Sequence, residues 1–164
     1  MALFLGCDPG AKGAICLLDP SKRIARFGPA PGGKIPSGVI YKAILGDHMD
    51  LIARAAIEEV HSLYGMSAKS NFSFGWNCGS ASTMLEILLD PYNVELERVQ
   101  PKIWQKVTGV TERKVGKDIK PVVAEVALEL YPNAVLHGPK GGLMDGRADA
   151  LMLAHYLFML SQGE

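Results

Sequence analysis

Two apolar runs in this chain end in carboxylates, and that limits how it can fold. Leu3-Phe4-Leu5-Gly6-Cys7 runs into Asp8, and Ala55-Ala56-Ile57 runs into Glu58. Segments this apolar belong in a core, and a carboxylate at the edge of a core is costly unless something compensates its charge. Two more acids, Asp145 and Asp149, open the last helical stretch. A hard divalent cation is the natural compensator, because it takes oxygen ligands and tolerates several carboxylates in one site. Convergence of the four would make the chain a metal-dependent enzyme acting on phosphates.

The pattern around these acids is mixed α/β. Residues 3–8 read as a buried strand, Gly13–Leu18 as a second and Arg23–Phe27 as a third, with Asp19-Pro20-Ser21-Lys22 as a hairpin turn. Gly28–Gly38, rich in Gly and Pro, reads as a loop, and Ser37–Leu45 as a poorly marked helix. Leu51–Val60 contains a strand whose surest part is Ala55–Val60. Ser62–Gly79 reads as a long loop holding Tyr64, Phe72, Phe74 and Trp76, and Ser80–Leu89 as a helix stopped by Asp90-Pro91. Val94–Val99 follows as a strand, and Pro101 suits the first turn of a short helix to Val107. Asp118 is placed to cap a helix with an apolar stripe at Ile119, Val122, Val123, Val126, Ala127 and Leu130, and residues 145–160 form the last helix. A three-strand meander followed by alternating helices and strands implies a mixed sheet with helices on its faces. The 164 residues, 48% of them hydrophobic, fit a single domain over residues 1–164 with ample core.

Seventeen basic residues balance seventeen acidic ones, so the chain lacks the basic excess common in nucleic-acid binders. The balance is uneven along the sequence. Residues 101–120 hold Lys102, Lys106, Arg113, Lys114, Lys117 and Lys120 against Glu112 and Asp118. No apolar run reaches the length of a bilayer span, and the N-terminus lacks a signal-type pattern, so no membrane role is expected. Cys7, Cys16 and Cys78 lack the spacing of a zinc site, and their odd count favours a reducing, cytoplasmic setting. His61 follows the acidic segment, but a lone histidine is more often structural.

Asp145 and Asp149 are four apart, so on a helix they share a face, which Met152 and Tyr156 continue inward. Two like charges there repel unless a cation joins them. Favourable placement at a helix start explains Asp145 well, and Asp149, a turn further in, less well. Asp8-Pro9-Gly10-Ala11-Lys12-Gly13 permits a sharp turn and close approach of a phosphate to the backbone. It is equally the composition of an ordinary turn. Glu58 and Glu59 face opposite sides of a strand, and only one can join Asp8. Periodicity does not choose between them, because Ala56, Ile57 and Val60 leave both faces apolar.

Taken in order, Gly6-Cys7-Asp8-Pro9-Gly10, Ala56-Ile57-Glu58-Glu59-Val60 and Asp145-Gly146-Arg147-Ala148-Asp149-Ala150-Leu151 resemble the RuvC Holliday-junction resolvases. The likeness is closest to the phage-type members, which carry a comparable aromatic, Gly-rich stretch after the glutamate. The resemblance implies an α/β, RNase H-like fold with a mixed five-stranded sheet and helices on both faces. It implies a homodimer and magnesium-dependent cleavage of four-way DNA junctions by paired symmetric nicks, leaving 5′-phosphate and 3′-hydroxyl ends. By motif, Asp8, Glu58, Asp145 and Asp149 become ligands of two Mg2+ ions, with Mn2+ as a substitute, and Glu58 is selected over Glu59. The last two acids are four apart here, where many members have three. Lys102 and Lys117 match family positions that support catalysis or phosphate contact, and Lys114 lies in the same basic stretch. Phe72, Phe74 and Trp76 would enter the junction or stack on its bases; packing of a hairpin explains them equally well. The expected location is the cytoplasm of a bacterial or phage-infected cell. Two rivals share this fold: a nuclease of broader branched-DNA or hybrid specificity, and a non-catalytic junction binder. Actin-like ATPases begin with a similar strand and Asp-Gly turn, but they need two lobes, for which 164 residues are too few.

Overall fold

The computed structural model describes residues 1–30, 44–61, 65–114, 116 and 118–163. The helix expected from Ser37 lies outside the described residues up to residue 43, and Tyr64 and Lys117 also lie outside them. Strands β1 (Leu3–Asp8), β2 (Ala14–Asp19) and β3 (Ile24–Pro29) form the expected antiparallel meander. Asp19 fixes the β2–β3 turn, accepting the Ser21 hydroxyl at 2.6 Å and the Lys22 amide at 3.2 Å. Strands β4 (Ile52–Glu58) and β5 (Leu96–Val99) add in parallel on the other side of β1, giving the five-stranded order β3-β2-β1-β4-β5. A 3-10 turn at Gly46–Leu51 delays β4 by a residue, and β5 starts two residues later than Val94.

Five α-helices are described: α1 (Ala68–Leu89), α2 (Pro101–Val107), α3 (Val110–Arg113), α4 (Ile119–Leu130) and α5 (Asp145–Gln162). Alternation along β1 sorts them into two layers. Phe4 packs with residues of α4 and α5, whereas Leu3, Leu5 and Cys7 pack with Ala81, Leu85 and Leu89 of α1. Strand β1, central and covered on both faces, is therefore free of polar side chains from Leu3 to Cys7. Asp118 stands at the cap of α4 as expected, but its side chain makes no capping hydrogen bond.

Helix α1 corrects the long loop expected over Ser62–Gly79, which from Ala68 onward is helical. Its Gly75, Gly79, serines and asparagines are poor helix formers, so local propensity pointed the other way. The docked C-terminal half sustains it. Ala81, Leu85 and Leu89 recur every four residues and are buried, and each residue added N-terminal to them gains a hydrogen bond at modest entropic cost. Ser67 closes that end, its hydroxyl accepting the Ser70 amide at 3.2 Å. Phe72 and Phe74 consequently do not alternate as strand residues. Phe72 pairs with Trp76, one helical turn on.

The layers approach closest at Gly6. A methyl group there would collide with the Ala150 carbonyl oxygen and stand 2.8 Å from the Ala154 amide nitrogen, so α5 lies directly on the β1 backbone. Gly6→Ala is expected to destabilise the fold by about 1–3 kcal/mol through this overpacking. The check is a urea titration, where the midpoint should fall while the slope is unchanged.

Candidate active site

Strand register brings the first two acids together. In the parallel pair β1–β4, Cys7 lies opposite Ile57, so Asp8 and Glu58 end adjacent strands side by side. Phe4 and Ala56 belong to the core under α5, while Leu5, Cys7, Ala55 and Ile57 belong to the core under α1. Alternation therefore puts Asp8 and Glu58 on the α5 side and turns Glu59 the other way. Glu59 lies one residue past the strand, its amide donating to the Val99 carbonyl at 2.8 Å. The first turn of α5 reaches the same point. A methyl group on Gly146 would stand 3.0 Å from Asp8 Oδ2 and 2.5 Å from the Lys12 carbonyl oxygen. Asp149, a turn further along α5, feels the charges of Glu58, Asp8 and Asp145. The four acids thus gather at the carboxyl ends of parallel strands, where open α/β sheets hold their sites.

Burial and mutual repulsion set their protonation. Asp149 is pushed up to about 8, by burial first and then by Glu58, Asp8 and Asp145, with Lys120 opposing. Glu58 is raised to about 7 by burial and by Asp8. Against that shift, the Trp104 indole N–H donates to Glu58 Oε2 at 2.8 Å. Asp8 is raised by burial, and the Gly10 amide opposes by donating to its Oδ1 at 3.3 Å. Asp145 goes the other way, because the Lys120 ammonium pairs with it and holds its carboxyl below the usual range. A cluster in which Asp8, Glu58 and Asp149 all resist ionisation is short of positive charge.

The donor chemistry fits a hard divalent cation, since four carboxylates supply only oxygen. As the side chains stand, no three acids, histidines or cysteines among the described residues close around one point. Lys120 pairs with Asp145.

The backbone arrangement has solved counterparts. Two structures of RuvC from Thermus thermophilus, one in complex with a Holliday junction substrate, match 98% of this chain and 96% of their own. Their TM-score is 0.60, at 13% identity for the complex and 16% for the other. The fold is RuvC-like. No protein-family model matches the chain, and no curated protein matches it in sequence. The mixed sheet with helices on its faces, expected from the element pattern, is the sheet of this RuvC-like fold.

Within the RuvC-like frame, the remaining sequence candidates scatter. Lys102 and Lys114 are exposed, and neither is among the groups that act on the four acids. The cation that does act is Lys120, which the sequence left undistinguished within its basic stretch. Its role depends on how α4 lies beside α5, for which no local pattern speaks. Trp104 was also missed, and it did leave a signal: a tryptophan that is buried must find an acceptor for its indole N–H. Phe72 and Trp76 are 71% and 65% exposed, with ring centroids 6.3 Å apart, while Phe74 is half-buried. His61 shares a cleft on the α1 side with Glu58, Glu59 and Cys78.

The raised carboxyl values carry a sign for stability. Above the ordinary carboxylate range, the unfolded chain has released protons that folded Glu58 and Asp149 still hold. Stability of the metal-free protein therefore falls as pH rises from about 4 towards 8. Thermal melts in EDTA are expected to give a lower midpoint at about pH 8.5 than at about pH 5.5, with added Mg2+ raising the higher-pH midpoint most. Midpoints insensitive to both pH and Mg2+ would contradict a charge-starved cluster.

Proposed function

We propose that this protein is a metal-dependent endodeoxyribonuclease that resolves four-way DNA junctions as a homodimer. The observation that carries the reading is the gathering of Asp8, Glu58 and Asp149 in one part-buried cluster short of positive charge. The RuvC-like fold supports it, since one solved counterpart is bound to a Holliday junction. Asp8, Glu58, Asp145 and Asp149 would hold two Mg2+ ions, replaceable by Mn2+. When bound, such ions supply an activated water and stabilise the charge on a leaving 3′-oxygen.

The chain's own groups have separate tasks. Asp8 and Glu58, on rigid strand ends, fix one side of the site, and α5 presents Asp149 and Asp145 from the other. The Trp104 indole orients Glu58 by its hydrogen bond. Lys120 neutralises Asp145. Phe72 and Trp76 offer neighbouring ring faces on which unpaired bases at a junction can stack. Lys102, Lys114 and Lys117 add phosphate contacts, which give affinity without sequence choice. The products carry 5′-phosphate and 3′-hydroxyl ends, and a two-fold dimer presents two such sites to opposing strands. The cytoplasm is the setting of this reaction.

Asp8→Asn and Glu58→Gln are expected to bind a synthetic four-way junction yet cut it at least about a hundredfold more slowly. Glu59→Gln should keep most activity, because its carboxylate faces away from Asp8. Trp104→Phe keeps a ring but removes the donor to Glu58, and should slow cutting roughly tenfold. The measurement is a Mg2+-dependent cleavage panel of four-way junction, flap, RNA–DNA hybrid and linear duplex, with strands labelled separately. Paired symmetric cuts confined to the junction are the expected result. Flaps or hybrids cut as fast as junctions would point to a broader nuclease, and binding without any cutting to a junction-binding protein.

A further inference from the structure

Two clefts flank the acid cluster, and they differ in charge. On the α1 side the walls carry Glu58, Glu59 and Glu86, and the cleft's Arg98 is already paired with Glu86 at 2.8 Å. On the other side, a cleft of about 410 Å³ opens between the Lys12 turn, the end of β3 at Gly28-Pro29 and the start of α5. That volume suits a nucleotide-sized unit. Its charged groups are Lys12, Arg147 and Asp145, and Asp145 is taken up by Lys120. Through Asp145 the cleft is continuous with the acid cluster.

Arg147 is fixed in the wall of this cleft by groups that leave its charge uncompensated. Its Nη1 donates to the Val135 carbonyl at 2.9 Å, and its guanidinium carbon lies 5.4 Å from the centroid of the Phe27 ring. No carboxylate forms an ion pair with it among the described residues. A guanidinium held on a ring and a carbonyl keeps further N–H donors for an oxyanion, and little rotamer freedom is lost when one binds. Lys12 is exposed across the cleft, on a turn pressed against Gly146. Leu143 and Met144 supply apolar lining suited to a sugar or a base edge.

We infer that this cleft holds the nucleotide next to the scissile phosphate on the strand being cut, with Arg147 and Lys12 gripping its phosphodiester group. The inference rests on the nuclease reading above and names where the cut strand runs: along the cationic side of the acids, away from the Glu59 side. Arg147 is thus a positioning residue for the strand rather than a ligand of the ions.

The test uses four-way junctions carrying a single neutral methylphosphonate, scanned across the nucleotides on each side of the cut site. Binding is read by fluorescence anisotropy in EDTA, with the full chain and with Arg147→Met, Arg147→Lys and Lys12→Met. Arg147→Met is expected to weaken binding of the unmodified junction roughly tenfold. It should also reduce the slope of log affinity against log salt by about one. One methylphosphonate position near the cut should weaken the wild type by a similar factor and leave Arg147→Met unchanged, with Arg147→Lys intermediate. Lys12→Met, on an exposed turn, keeps the inference open to refutation should Arg147→Met fold poorly. If the wild type cuts junctions while both Met variants keep its affinity and salt slope, the inference is overturned and the nuclease reading stands. Losses that simply add to those of every methylphosphonate also overturn it. A wild type that neither binds nor cuts branched DNA removes both.

Discussion

The candidate site depends on α5 lying against β1 with no side chain between them at Gly6. The absence of a Cβ lets the helix backbone settle onto the strand, and small residues at Ala150 and Ala154 keep the contact close along the helix. The first turn of α5 is thereby carried over the end of β1, next to Asp8 and the Lys12 turn. A bulkier interface would hold the same four acids further apart and let each be solvated alone. The resistance of Asp8, Glu58 and Asp149 to ionisation, which burial causes first, goes with this tight packing.

Two residues temper that repulsion, each acting most directly on one acid. Trp104 gives Glu58 a hydrogen bond without adding charge, and Lys120 gives Asp145 a full counter-charge. Among the described residues, Asp8 has the Gly10 amide and the weaker pull of Lys120. Asp149, the most perturbed of the four, is opposed among the described residues by Lys120 alone. The unmet demand for charge is therefore centred on Asp8, Glu58 and Asp149, which come from two strands and a helix of different origin in the chain. That convergence from separate elements separates this cluster from a solvated acidic stretch.

Some of this was legible in the sequence. Asp8 and Glu58 stood out because buried parallel strands read as continuous apolar runs, and a run must end somewhere. Asp145 and Asp149 stood out because a four-residue spacing has a fixed meaning on a helix. Periodicity did not choose between Glu58 and Glu59, because a central strand is apolar on both faces; only the motif resemblance pointed to Glu58. Pairing with β1, and which helix covers which side, put Glu58 rather than Glu59 on the face of Asp8. The first half of α1 was misread for a different reason. Its residues carry loop-like propensities, while the force that holds it helical comes from Ala81, Leu85 and Leu89 further along. The basic stretch was visible as composition, yet only the packing of α4 beside α5 singles out Lys120.

That same helix has a further consequence. Its C-terminal half is clamped in the core, while its first turns, bearing Phe72 and Trp76, stand clear of it. Between the two lie Cys78 and Gly79, which form part of the wall beside Glu58. The exposed rings and that wall are thus joined by one continuous helix, with Trp76 two residues before Cys78.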